Sequence, residues 1–158
     1  MGFPGGPEIE KLASRANGSD TKFTRPVVKN SLDFSFSGLK TALLRRLEMN
    51  MPSEEFDPGD IPFGLKANIA KEYQDALVDS LVSRAVAVAK DKKVNGIIVC
   101  GGVAANSLLR DKINSESPFP VIIPEKKYCT DNGAMIGAAA WYKLRVNPEY
   151  QWEMDIIP

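Results

Sequence analysis

The chain has 158 residues and a mass of 17.3 kDa, enough for one domain with a real core or for two small lobes. It is 44% hydrophobic and 25% charged, with 20 basic and 20 acidic residues, so it reads as a globular protein with no overall basic field toward nucleic acid. It contains no histidine, which excludes a Ser–His–Asp triad, a Cys–His pair and any histidine-held metal supplied by this chain alone.

In chain order, the Pro- and Gly-rich stretch Gly2 to Pro7 predicts a loop, and Glu8 to Arg15 a short helix with acidic residues in its first turn and basic ones near its end. Asn17-Gly18-Ser19-Asp20 stops it with turn chemistry. A domain that opens on such a loop suggests further sequence upstream. Phe23 to Val28 and Leu32 to Phe36 read as short strands, the second with Leu32, Phe34 and Phe36 alternating with polar residues. Leu39 to Met49 predicts a helix with Leu39, Leu43, Leu44 and Leu47 on one stripe, followed by a loop over Met51 to Gly59. The strongest helical repeat runs from Ile61 to Ala89, where Leu65, Ile69, Tyr73, Leu77, Leu81 and Ala85 recur every four residues. Gly96 to Cys100 is an apolar run suited to a strand buried on both faces. Gly101-Gly102 breaks it, and Val103 to Ile113 reads as a helix. Val121 to Ile123 predicts a second buried strand, and Thr130 to Val146 a last helix rich in Ala and Gly. Alternating strands and helices make the fold class α/β and helix-rich, with 1–150 as the folded body and 151–158 as a tail.

Three places offer chemistry. The strand–Gly101-Gly102–helix join presents backbone N–H groups and room for a ligand, with Asn106 in the first helical turn; by pattern alone the plain tight turn is the better-supported reading. The Pro4-Gly5-Gly6-Pro7 loop leads into a helix in the same way. In Cys129-Thr130-Asp131-Asn132-Gly133, Asp131 is either the N-cap of the last helix or a metal-binding or catalytic carboxylate. Cys100 and Cys129 read as buried small hydrophobes, because no basic partner is adjacent, and two cysteines make no disulfide framework. Asp33 and its neighbouring serines read as polar groups at a strand edge, and the basic clusters Arg45-Arg46, Lys90/Lys92/Lys93 and Lys126-Lys127 as solvated faces. With no leader-like N-terminus and no apolar run of the ~18 residues that span a bilayer, the expected setting is cytoplasmic, with no membrane partner.

Together, PGGPEIEKLA from Pro4, DFSFSGLKTA from Asp33, GGVAANSLLR from Gly101 and CTDNGAMIGAAA from Cys129 resemble the bacterial-type tRNA N6-adenosine threonylcarbamoyltransferase family (TsaD), formerly labelled O-sialoglycoprotein endopeptidase. The resemblance extends over nearly all of residues 3–143 and corresponds to the C-terminal half of a family member. It implies part of an actin/Hsp70/sugar-kinase-like ATPase fold, mainly its C-terminal lobe. It also implies transfer of the threonylcarbamoyl group from threonylcarbamoyl-AMP to N6 of adenosine 37 in tRNAs reading codons that begin with A. By position, Gly6, Glu10 and Asn106 would meet the nucleotide (threonylcarbamoyl-AMP, ATP or AMP), and Asp131 would be a ligand of one iron or zinc ion. The implied partners are tRNA, the paralogue TsaB and the P-loop ATPase TsaE.

The family's H-x-x-x-H metal motif and its S-G-G-H loop have no counterpart in these residues. One carboxylate cannot hold a transition metal, which needs three or four ligands, so the chain alone is expected to be inactive and to bind nucleotide weakly. Two other functions stay open on the residues: a metallopeptidase, and a non-catalytic nucleotide-binding module.

Overall fold

The computed structural model describes residues 4–18, 23–25, 31, 33–50 and 61–146. In chain order they form helices α1 (Gly5–Ala13), α2 (Ser37–Asn50) and α3 (Phe63–Asp91), strand β1 (Ile97–Ile98), helix α4 (Ser107–Glu116), strand β2 (Val121–Ile122) and helix α5 (Gly133–Val146). Short 3-10 helices cover Gly102–Ala105 and Lys126–Tyr128. The tail 151–158, the loop 51–60 and residues 26–30 lie outside the described residues.

The four-residue repeat after Ile61 becomes the spine, a helix of 29 residues and about 43 Å. Of its expected stripe Ile69 is buried and Leu65, Tyr73, Leu77, Leu81 and Ala85 are half-buried, while Ala67, Ala70, Ala76, Val78 and Val82 are buried. The reason is that α3 is flanked by α1, α2 and α4, so small residues between the expected positions are covered too. Toward its start, Ile69 and Ala76 pack with Phe23 and with Leu39 of α2, and the Phe23 and Tyr73 rings meet edge to face at 5.8 Å. Burial raises the Tyr73 pKa above its ordinary value. Further along, Val78 and Val82 pack with Leu109 and Ile113 of α4, and Ile97, Val99, Val121 and Ile123 close over them.

β1 and β2 pair in parallel, Ile97 opposite Val121 and Ile98 opposite Ile122. The expectation of strands buried on both faces does not hold. Side chains alternate across a strand, and only the face toward α3 and α4 is covered; Ile98 and Ile122 on the other face are 72% and 63% exposed.

Other expectations shift as well. α1 starts at Gly5, inside the expected loop, because Pro7 is then its third residue, where the missing N–H has no helical acceptor anyway. Residues 23–25 and 33–36 form no strand. A strand needs a partner ladder; instead the Ser31 hydroxyl donates to Asp33 and accepts from its backbone N–H, and the Phe34 and Phe36 rings stack on each other in the open. Leu44 is exposed, off the stripe of Leu39, Leu43 and Leu47, because it sits one residue round the helix from Leu43. Cys129 is buried as expected, but Cys100 is exposed at the end of the short sheet.

Candidate functional site

The join after β1 is tighter than a direct strand-to-helix step. Gly101 has φ +88°, a conformation that disfavours a side chain, and it turns the chain into the 3-10 helix Gly102–Ala105. Asn106 then returns to extended geometry and starts α4, so the expected continuous helix from Val103 is divided at this residue. Asn106 is the N-cap: its Oδ1 accepts from the Leu109 N–H at 2.9 Å, and its Nδ2 donates to Gln74 Oε1 of α3 at 3.3 Å.

Glu10 of α1 reaches the same place. Its Oε1 accepts from the Ser107 N–H at 2.9 Å, placing a carboxylate at the positive end of α4. Gly6 precedes Glu10 by four residues on α1 and so shares its face, with open space where a Cβ would stand. Glu10 and Asn106, distant in sequence, thus meet at one helix start, and Gly6 lies one turn of α1 from Glu10. Lys126 adds a cation, its Nζ donating to Ser107 Oγ at 2.8 Å.

Asp131 sits in the segment after β2 and is exposed. It is not the cap of α5. That role belongs to Asn132, whose Oδ1 accepts from the Met135 N–H at 3.1 Å and whose Nδ2 donates to the Thr130 carbonyl at 2.8 Å. Among the described residues no group of three or more His, Cys, Asp or Glu could hold a metal ion. Asp131 therefore does not make a metal site by itself and could serve only as one donor among others.

Arg110 of α4 links the two regions. Its Nε donates to the Ala104 carbonyl at 2.6 Å, and its Nη2 to the Pro124 carbonyl at 2.5 Å and to Cys129 Sγ at 3.2 Å. On another side of α4, Asp79 of α3 is paired with Arg25 and Lys112. Partial burial pushes the Asp79 carboxyl up, but hydrogen bonds and charge from Lys112 and Arg25 prevail and hold it below its ordinary value. The hydrogen bond to Asp79 in turn raises Lys112, against partial desolvation.

The family profile of TsaD, tRNA N6-adenosine threonylcarbamoyltransferase, matches residues 1–138. The chain belongs to this family. Proteins of that name are 43% identical over 148 residues in Thermosipho africanus, 38% over 163 in Clostridium botulinum and 37% over 156 in Herminiimonas arsenicoxydans. Those alignments take in 91%, 100% and 94% of this chain but 42%, 46% and 43% of the relatives, so the chain spans less than half their length. A crystal structure of HypF from T. kodakarensis superposes with a TM-score of 0.62 at 23% identity, covering 90% of this chain and 17% of that one; this is a likeness of fold.

The stretch matched to the threonylcarbamoyltransferases contains Gly6, Glu10, Asn106 and Asp131. Three further residues belong to the same surroundings. Arg110 closes the GGVAANSLLR motif, so the motif boundary marks it. Gln74 is one polar residue among many on α3, and Lys126 lies in a cluster that reads as solvated surface; only the fold brings either to α4.

Proposed function

We propose that this chain holds the nucleotide part of threonylcarbamoyl-AMP within a larger tRNA N6-adenosine threonylcarbamoyltransferase. The observation that supports this reading is the meeting of Glu10 and Asn106 at the start of α4, with Gly6 one helical turn away. Charge assigns the parts. A carboxylate repels a phosphate, so Glu10 suits a ribose hydroxyl, which it can accept while still bonded to the Ser107 N–H. The Asn106 amide can donate to a ribose or base acceptor, and Lys126 faces the phosphate with a positive charge. Gly101 and Gly102 leave room for close approach.

In the reaction, adenine N6 of the tRNA attacks the carbamoyl carbonyl. The new N–C bond forms, the C–O bond to the phosphate breaks, AMP leaves and N6 loses a proton. The residues of this chain orient the adenylate for that attack by fixing its ribose and phosphate. Iron or zinc would supply Lewis-acid chemistry in the whole protein, with Asp131 as one donor and the others from outside the described residues. The finer fold reading is the C-terminal lobe of an actin/Hsp70/sugar-kinase-like ATPase fold, supported by the parallel βα pair with its Gly-Gly turn. tRNA, TsaB and TsaE as partners and a cytoplasmic setting come with the family resemblance; no helix among the described residues is long and apolar enough to cross a membrane.

Titrating AMP into the isotopically labelled chain tests the reading by nuclear magnetic resonance. Shifts should concentrate on Gly6, Glu10, Asn106 and Ser107, and Glu10→Gln and Asn106→Ala should each weaken binding about tenfold. Shifts confined to another surface would overturn the assignment. Transfer to tRNA should require the portion of a relative that precedes this stretch, added as a second chain; activity from these 158 residues alone would show that they suffice.

A further inference from the structure

We propose that Arg110 is a positioning residue that holds the segment bearing Asp131 at a fixed spacing from the turn bearing Asn106. The proposal rests on the adenylate-binding function, in which both residues serve one site. The two regions are separate in the chain: one comes after β1 and the other after β2, with α4 between them. The sheet aligns the strands through only two residues each and leaves the segments beyond them to be placed by other contacts.

Arg110 supplies such contacts in both directions. Its Nε is committed to the carbonyl of Ala104, two residues before Asn106. Its Nη2 is committed to Pro124 and Cys129, and Cys129 is two residues before Asp131. A guanidinium is planar and rigid, so donors on two of its nitrogens fix the separation of the groups they bind. A lysine ammonium is a single point and cannot hold both sets at these distances. Cys129, buried to 2% exposure, is an anchor for this clamp, and the Arg110 guanidinium is a basic partner that the sequence did not reveal. Its Sγ also donates toward the Pro124 and Glu125 carbonyls at 3.8 and 3.6 Å, at the C-terminal end of the 3-10 helix Lys126–Tyr128.

Hydrogen exchange read by mass spectrometry on the chain, with and without AMP, decides the matter for the wild type, Arg110→Lys and Arg110→Met. Without AMP, amides of residues 126–129 should exchange about tenfold faster in both variants while those of α3 keep their rates. Unchanged exchange in this stretch, wild-type exchange in the lysine variant, or a speed-up shared equally with α3 would each overturn the proposal. With AMP, the wild type should slow exchange at 103–107 and 126–131 together, and the lysine variant at 103–107 only. Equal slowing of both stretches in the variant would reduce Arg110 to a packing residue. If AMP slows neither stretch in the wild type, the adenylate reading fails, while the measurement without AMP still decides the clamp.

Discussion

Helices α4 and α5 start alike and are held differently. Each comes after a short 3-10 helix, and each is capped by an asparagine whose Oδ1 accepts from the N–H three residues on, Asn106 to Leu109 and Asn132 to Met135. Yet α4 buries Leu109 and Ile113 against α3 and receives Glu10, Gln74 and the sheet around it. No residue of α5 is buried, although Met135, Ile136, Trp141, Tyr142 and Leu144 make it the more apolar of the two. A cap defines where a helix begins; tertiary burial decides whether it is part of a core.

The sharpest way to break that contrast is to remove the same side-chain atoms from each helix. Ile113 is 1% exposed, and Ile113→Ala should lower the unfolding free energy by about 2–5 kcal/mol in urea. Ile136 is 72% exposed, and Ile136→Ala should stay within about 0.5 kcal/mol. Comparable losses would mean that α5 contributes to the same cooperative core.

The attachment of α4 has an electrostatic side, which sets the next effect. Asp79→Asn, leaving Arg25 and Lys112 without their acceptor charge, should cost about 1–2 kcal/mol at neutral pH, a modest figure because the ion pairs are partly solvated. The folded carboxyl lies below its ordinary value, so its contribution is present above an unfolded pKa of about 3.9 and is lost as the pH falls through the folded value. Lys112 is raised, so its contribution is complete below about 10.4 and is lost as the pH rises through its folded value. Denaturation curves should therefore show wild type and Asp79→Asn converging in acid. A gap that persists unchanged at low pH would mean that packing, not charge, accounts for the loss.

The same division separates what the residues announced from what they concealed. Periodicity located α3 within two residues at each end and identified the strand cores of β1 and β2, because burial on a regular element leaves a repeat in the sequence. It misjudged the sheet, since an apolar run such as Gly96 to Cys100 is the same whether a covering layer is present on one face or two. The expected strand at Leu32 to Phe36 failed over its described residues for a related reason: alternation states a preference, and a strand also needs a partner ladder. At the candidate site, motifs singled out Gly6, Glu10, Asn106, Asp131 and the Gly-Gly turn, and of these residues Glu10 and Asn106 meet at the start of α4. Asn132 as the cap in place of Asp131 was not, because Asp and Asn cap equally well and only the backbone geometry chooses between neighbours. Gln74, Lys126 and the span of Arg110 depend on contacts 32, 19 and up to 19 residues apart, which no local pattern records.

The smallest effects compare the two caps directly. Asn106→Ala removes the acceptor for the Leu109 N–H and the link to Gln74, and should shift global unfolding by about 1 kcal/mol. Asn132→Ala removes the same kind of acceptor, but from a helix with no buried residue. A segment of 14 residues is marginal as a helix in water without tertiary support, so the lost cap should appear as local fraying: faster amide exchange over 133–137 and a small loss of helical circular dichroism. The urea midpoint should remain where it was, because fraying of a segment outside the core leaves the cooperative unit intact. A midpoint shift matching that of Asn106→Ala would show that α5 and α4 unfold together. The difference between the two helices would then lie in exposure alone, and not in the energy that holds them.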